Sequence, residues 1–342
     1  MISRKGVQVT RVAHRLGLVI TTMAVLFALV GPGTAAAHVA GGVSPTNSRS
    51  VVTEIRPAGS GVGVTVGLGG QFVRISDRGA EVVVLGYRGE PFLRLWQQRV
   101  QVNPRSTTAV QTGQLQRTAR SADTDGQWVH LSDGDSVTWI DARIDARSLP
   151  EGASGSWTLP LVVDGQPVTV LGTRTGLAAP SPWPWVAALG LVAAVVAALG
   201  WVRGWHRPVS AVIVAGVVAF GLHMVGSGAA PQPGGSFSGW VVIAVLGAFC
   251  LLVAGVTVLS TLRGTELAAS RLPMMAVTLL LLAGTDLSGL WSSQLPFAGP
   301  AVLDRGLLVV IYGVALGLLV AGVRLARAPG PAGRAVEERS SG

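Results

Sequence analysis

The 342-residue chain contains one lysine, Lys5, and one cysteine, Cys250. Charge of any kind is scarce, at 13% of residues, with 17 Asp plus Glu against 26 Lys plus Arg. A single cysteine excludes an internal disulfide and any Cys-x-x-Cys metal or redox pair. There is no phosphate loop, no dinucleotide-binding glycine pattern, no His-Glu-x-x-His and no Gly-x-Ser-x-Gly. The expectation is therefore a protein that is not an enzyme. The net charge of +9 invites a nucleic-acid reading, but its distribution removes it. Residues 38–183 hold 13 Arg and 12 acidic residues and are nearly balanced. The excess lies at the N-terminus, in short links between apolar runs and in the C-terminal tail, leaving no basic face for a nucleic-acid backbone.

Apolar residues are plentiful, at 49%. Five runs, at about 185–202, 208–226, 240–262, 272–291 and 306–323, approach or reach the ~20 residues that a helix needs to cross a bilayer core. Arg203 and Arg207 lie between the first two runs, Arg263 and Arg271 between the third and fourth, and Arg324, Arg327 and Arg334 after the fifth. Residues 227–239 carry no charge, and in 292–305 Asp304 and Arg305 cancel. Arginine-bearing loops stay cytoplasmic. The alternation predicts an all-α five-helix transmembrane bundle over 185–326, entered from outside, and a disordered cytoplasmic tail over 327–342. The predicted location is the plasma membrane, with the lipid bilayer as partner. At the other end, Arg4, Lys5, Arg11 and Arg15 precede the apolar stretch Leu16–Val30 and then Ala35-Ala36-Ala37. This reads as a signal peptide over 1–37, cleaved to leave His38 first; the alternative is an uncleaved anchor and six spans.

Residues 38–178 read as an extracytoplasmic all-β domain. Short alternating or β-branched runs occur at 51–55, 62–66, 72–75, 81–85, 128–131, 137–140, 156–162 and 168–171. Turn residues separate them, and Asp77-Arg78-Gly79 and Asp164-Gly165 have the composition of hairpin turns. The spacing predicts an Ig-like β-sandwich. Residues 102–126 are polar and predict a long surface loop. Residues 179–184 predict a stiff Pro/Trp linker, its tryptophans suited to the membrane interface.

Several separated stretches occur together: Thr46-Asn47-Ser48-Arg49, Gly86-Tyr-Arg-Gly-Glu-Pro-Phe-Leu-Arg94, Asn103, Trp139, Ser156-Trp157-Thr158-Leu159-Pro160 and Trp183-Pro184-Trp185. In this order they resemble a family of exported actinobacterial membrane proteins, some encoded near copper-resistance genes of the C/D type. The resemblance implies a link to copper by neighbourhood. That family follows its tryptophan with a histidine-rich run, whereas here the run is Trp139-Ile140-Asp141-Ala142-Arg143. If those histidines hold metal in relatives, the site is lost here; if they serve structure, Asp141 and Arg143 can form a paired corner.

The candidate metal ligands are His38, His130, His223, Met224 and Asp286. An N-terminal His38 offers an amine and an imidazole together, a chelate suited to copper. His130 is the other histidine of the exported part, and Asp133, Asp135, Asp141 and Asp145 could add oxygen. The alternative is an ordinary residue on a frayed end. His223 and Asp286 each lie ~21 Å along their spans at 1.5 Å per residue. At matched depth they suggest a metal or proton site, a buried hydrogen bond between helices, or two solvated groups at the headgroups. Glu90 and Arg94 suggest a recognition patch with Asn103, or an ion pair bracing a strand end. Gly313 and Gly317 mark a small-residue face for packing within the chain. The function expected is a cell-envelope membrane protein in copper or other metal homeostasis. The alternative is a structural protein whose exported domain binds an envelope partner.

Overall fold

After residue 182 the Val- and Thr-rich alternation gives way to unbroken apolar runs, and there the structure passes from strand to helix. The computed structural model describes residues 43–114, 127–230, 237–265, 267–284 and 286–327. The segment 1–37, His38, residues 115–126 of the expected loop and the tail beyond Arg327 lie outside the described residues.

The first part is an antiparallel β region. Its strands are β1 Ser48–Arg56, β2 Val62–Val66, β3 Val73–Asp77, β4 Val82–Leu85, β5 Pro91–Trp96, β6 Arg99–Val102, β7 Val129–Asp133, β8 Ser136–Trp139, β9 Ser154–Val163 and β10 Gln166–Gly176. They form a sheet in the order β1-β10-β9-β4-β5-β6-β7 and a smaller sheet β2-β3-β8. Alternate residues of β9 (Trp157, Leu159, Leu161, Val163), with Val82 and Val84 of β4, face Val73, Ile75, Val137 and Trp139 of the small sheet in one core. Phe92 meets Trp139 edge to face at 5.8 Å.

Asp164-Gly165 is the hairpin turn its composition predicts: both residues have positive φ, 46° and 77°, as a two-residue turn matching the strand twist requires. Asp77-Arg78-Gly79 is not a hairpin turn. It joins β3 to β4, which belong to different sheets. Strands β5 and β6 also depart from the expectation. The stretch predicted as loop from 102 begins with the end of β6 and then a short helix, α1 (Thr107–Gln111), whose first turn is capped by the Ser106 hydroxyl accepting from Ala109 N–H.

The second part is helical: α2 Trp183–Leu199, α3 His206–Ala229, α4 Phe237–Leu262, α5 Ala268–Ala283 and α6 Ala301–Arg327. Among the described residues α3, α4 and α6 are long and apolar enough to cross a bilayer; α2 and α5 are apolar but shorter. Helix α2 takes in Trp183 and Pro184, assigned above to the linker; a proline in the first turn has no N–H to lose. The run 272–291 does not make one helix. Helix α5 ends at Ala283, and a 3-10 turn, Asp286–Trp291, follows Gly284. Helix α6 is the central element. An added Cβ at Gly317 would lie 2.7 Å from the Ala193 carbonyl, and one at Gly313 2.7 Å from Val192, both on α2. The small-residue face therefore packs a neighbour within the chain.

Candidate functional site

Three acidic or imidazole side chains from three elements meet at the end of the helical region nearest the β region. His223 lies in the last turns of α3, Asp286 opens the 3-10 turn after α5, and Asp304 sits in the first turn of α6. His223 Nδ1 is 2.6 Å from Asp304 Oδ1, and His223 Nε2 is 3.1 Å from Asp286 Oδ2. The exposures of His223, Asp286 and Asp304 are 3%, 7% and 3%. That burial removes the reading of two solvated groups at the headgroups.

Each ring nitrogen faces a carboxylate oxygen, so both contacts are hydrogen bonds only when the three groups together hold two protons. Either the imidazole carries both, or it carries one and one carboxyl carries the other. The three groups then sum to −1 in both cases. Arg305, beside Asp304 and 7% exposed, supplies the balancing positive charge. Its guanidinium donates from Nε to the Gly289 carbonyl (3.2 Å) and from Nη2 to the Ser292 carbonyl (2.6 Å), at the end of the 3-10 turn. A buried set of charges persists only when paired and hydrogen-bonded, and this set is both. Asp304 also lies in the first turn of α6, where the helix dipole favours an anion. Tyr312 donates its hydroxyl to the Ala283 carbonyl, satisfying an otherwise free acceptor at the end of α5.

The segment 292–300 lies over the cluster. Phe297 stacks on the His223 ring with centroids 6.5 Å apart, and Ala298 N–H donates to the Gly226 carbonyl. The same segment grips the β region. Thr46 and Gln294 exchange two backbone hydrogen bonds, of 3.0 and 2.9 Å. Ser293 N–H donates to Asn47 Oδ1 at 2.7 Å, and Asn47 Nδ2 to the Trp291 carbonyl at 3.4 Å. The Asn47 carbonyl accepts from Leu177 N–H, tying in the exit from β10. Protein-family models, curated proteins and solved structures include no match to this chain.

Of the candidate metal residues, His38 lies outside the described residues, and the structure brings only His223 and Asp286 of the other four together. His223 and Asp286 are in contact, but the two nitrogens of His223 point to opposite sides, each to its own carboxylate, so the donors form a line and not a shell. Met224, one residue on and so about 100° around the helix, is buried in the apolar packing of the helices. His130, on β7, is partly exposed, its Nε2 3.5 Å from Asp133 Oδ1. Among the described residues no group of three or more His, Cys, Asp or Glu is placed to hold a metal ion. Cys250 is buried in α4, among apolar neighbours.

One further expectation is corrected. Glu90 and Arg94 do not pair. Arg94 Nε donates to Glu81 at 2.7 Å, while Glu90 Oε1 accepts from the hydroxyls of Ser106, Thr107 and Thr108 at 2.9, 3.2 and 2.8 Å. Burial alone would raise the Glu90 carboxyl, but the bonds from Thr108 and Ser106 outweigh it and bring its pKa down to about 2. Asp304 and Arg305 keep the zero sum read for 292–305, but without a direct ion pair: Asp304 bonds His223, and Arg305 donates to the Gly289 and Ser292 carbonyls. The Trp139-x-Asp141-x-Arg143 stretch is a paired corner. Fully buried Asp141 accepts from Trp139 Nε1 (3.0 Å) and from Arg143 N, Nε and Nη2. Arg143 also donates to the Leu85 carbonyl and lies over the Tyr87 ring.

Proposed function

We propose that this chain is a multi-pass membrane protein of the cell envelope that holds its β region in a fixed stance outside the cytoplasm, for recognition by an envelope partner. The observation that carries this is the two-way bridge between Thr46 and Gln294, built on the segment whose underside rests on the His223 cluster. Five crossings by α2–α6 fit the alternation of helix directions, with the shorter α2 and α5 accommodated by local thinning or by the 3-10 turn after α5. The arginines at the ends away from the β region support its outside placement. An Ig-like sandwich remains the reading for the β region, supported by two antiparallel sheets on one core, although the strands divide seven to three. Trp96, exposed and beside the Arg94 guanidinium (4.7 Å), is the patch we assign to the partner, since tryptophan and arginine dominate the energetics of interfaces.

Spin-label distances test the fixed stance. In a Cys250→Ser background, labels at Glu54→Cys on β1 and Val302→Cys on α6 should give one narrow distance distribution. Thr46→Pro, which removes the N–H given to Gln294, should broaden it. A broad distribution in the parent protein contradicts the reading. Copper homeostasis is the second reading, favoured by His38 directly after Ala35-Ala36-Ala37. Copper that copurifies in stoichiometric amount and is lost in His38→Ala would favour it over the structural one.

A further inference from the structure

The helical region has a second polar end, opposite the cluster. Arg324, near the end of α6, donates to the Gly200 carbonyl after α2 (2.6 Å), and its guanidinium lies 4.7 Å over the Trp201 ring. A Cβ added at Gly322 would lie 2.9 Å from Leu272 Cβ, so the end of α6 meets the start of α5. Arg271 on α5 donates to the Val256 carbonyl of α4 at 3.3 Å. The short link 200–205 brings α3 to the same end. Six arginines therefore share one end: Arg203, Arg207, Arg263, Arg271, Arg324 and Arg327. Arg203, Arg207, Arg263 and Arg327 are exposed; the one acidic residue of these links, Glu266, lies outside the described residues and leaves arginine in clear excess. Carbonyl partners leave the guanidinium charge of Arg271 and Arg324 in place and most of their five donors free.

Two observations besides charge point to a ligand. Trp201 is 60% exposed and the Trp205 ring lies 4.2 Å from that of His206, tilted by 34°, which sets indole rings among the arginines as at a membrane interface. His206 Nδ1 and Ser210 Oγ, four residues apart and so on one helix face, are buried without a hydrogen-bond partner. We propose that this end is a docking surface for the headgroups of anionic phospholipids. The proposal rests on reading the helices as membrane-crossing. Guanidinium forks match phosphate oxygens in two-point contacts, and a headgroup with net negative charge is attracted where a zwitterionic one is not.

The test uses the full chain in detergent with equal amounts of phosphatidylglycerol and phosphatidylcholine, the lipids retained being counted by native mass spectrometry. Phosphatidylglycerol should be retained in roughly tenfold preference. Arg203→Gln with Arg207→Gln should bring the preference close to parity. Arg88→Gln with Arg99→Gln, the same charge loss on the exposed β region, should leave it unchanged. Equal retention of the two lipids, retention of neither, or an equal loss of preference in both variants overturns the proposal. So does displacement of the lipid by millimolar inorganic phosphate, which would mark a free-phosphate site. A chain that stays dispersed without detergent would remove the membrane reading as well; one that needs detergent yet shows no preference removes this proposal alone.

Discussion

Removing one member of the Asp286–His223–Asp304 cluster leaves the others buried and unpaired, so the effects of substitution should not add. His223→Ala and Asp304→Ala should each lower the stability of the helical region, as should Asp286→Ala. The His223→Ala/Asp304→Ala double variant should cost less than the two singles together. Couplings of this kind in membranes average ~0.6 kcal/mol and reach about 1.7. The 2.6 Å contact to Asp304 should show the larger coupling and the 3.1 Å contact to Asp286 the smaller. Additive losses in denaturant titrations of the detergent-solubilised protein would show that these contacts do not hold the helices. Glu90 gives a second prediction. Its carboxyl is depressed to about 2, chiefly by the Thr108 and Ser106 bonds acting against burial. A depressed carboxylate stabilises the fold above its ordinary pKa of ~4.3, and the benefit is lost as pH falls toward 2. The melting temperature of Glu90→Gln should therefore lie below that of the parent protein near neutral pH, and the two should converge as pH approaches 2. Parallel curves throughout would mean that the Glu90 charge is not what the hydroxyls hold.

At the scale of elements, the sequence was most legible where local chemistry decides the outcome. Asp164-Gly165 carries the turn signature for positive φ, and its hairpin is where the composition placed it. The β5–β6 hairpin turns at Gln97-Gln98, also with positive φ (52° and 58°), but two glutamines carry no such signature. Phe92 and Leu93 are both buried, which breaks the alternation that would mark β5 as a strand. The helices were legible from apolar length, except where a polar contact from elsewhere decides the end. The fourth run stops as a helix at Ala283, next to Gly284, and Asp286 beyond it is held by His223 on another helix. The contact between His223 and Asp286 could be read from matched depth. Asp304 could not be read by summing charge, since Arg305 beside it makes the pair look self-neutralising. Neighbours on a helix point about 100° apart and do not face each other, which is the signal that each needs another partner. The small-residue face of α6 yields a third prediction. Gly317→Val places atoms against the Ala193 carbonyl and Val196 of α2, so the melting temperature should fall while the oligomeric state stays as it is. A stable variant that changes only in oligomeric state would place that face outside the chain.

At the scale of the molecule, one short segment joins two systems. Residues 292–300 lie over the cluster through Phe297 on the His223 ring and bond to Thr46 and Asn47 of the β region through backbone and side chain. The stretch Thr46-Asn47-Ser48 is a junction: Thr46 and Asn47 bond to the helical region, while Ser48 donates to the Gly69 carbonyl inside the β region. A disulfide across this junction tests at once whether it is closed and whether it lies outside the cytoplasm. Asn47→Cys and Ser293→Cys, in a Cys250→Ser background, are introduced into the full chain in cells, where a disulfide persists only on the oxidising side of the membrane. The pair should form an intramolecular disulfide without added oxidant and resist alkylation until it is reduced. Two thiols that remain alkylatable, even after mild oxidation of isolated membranes, would contradict it.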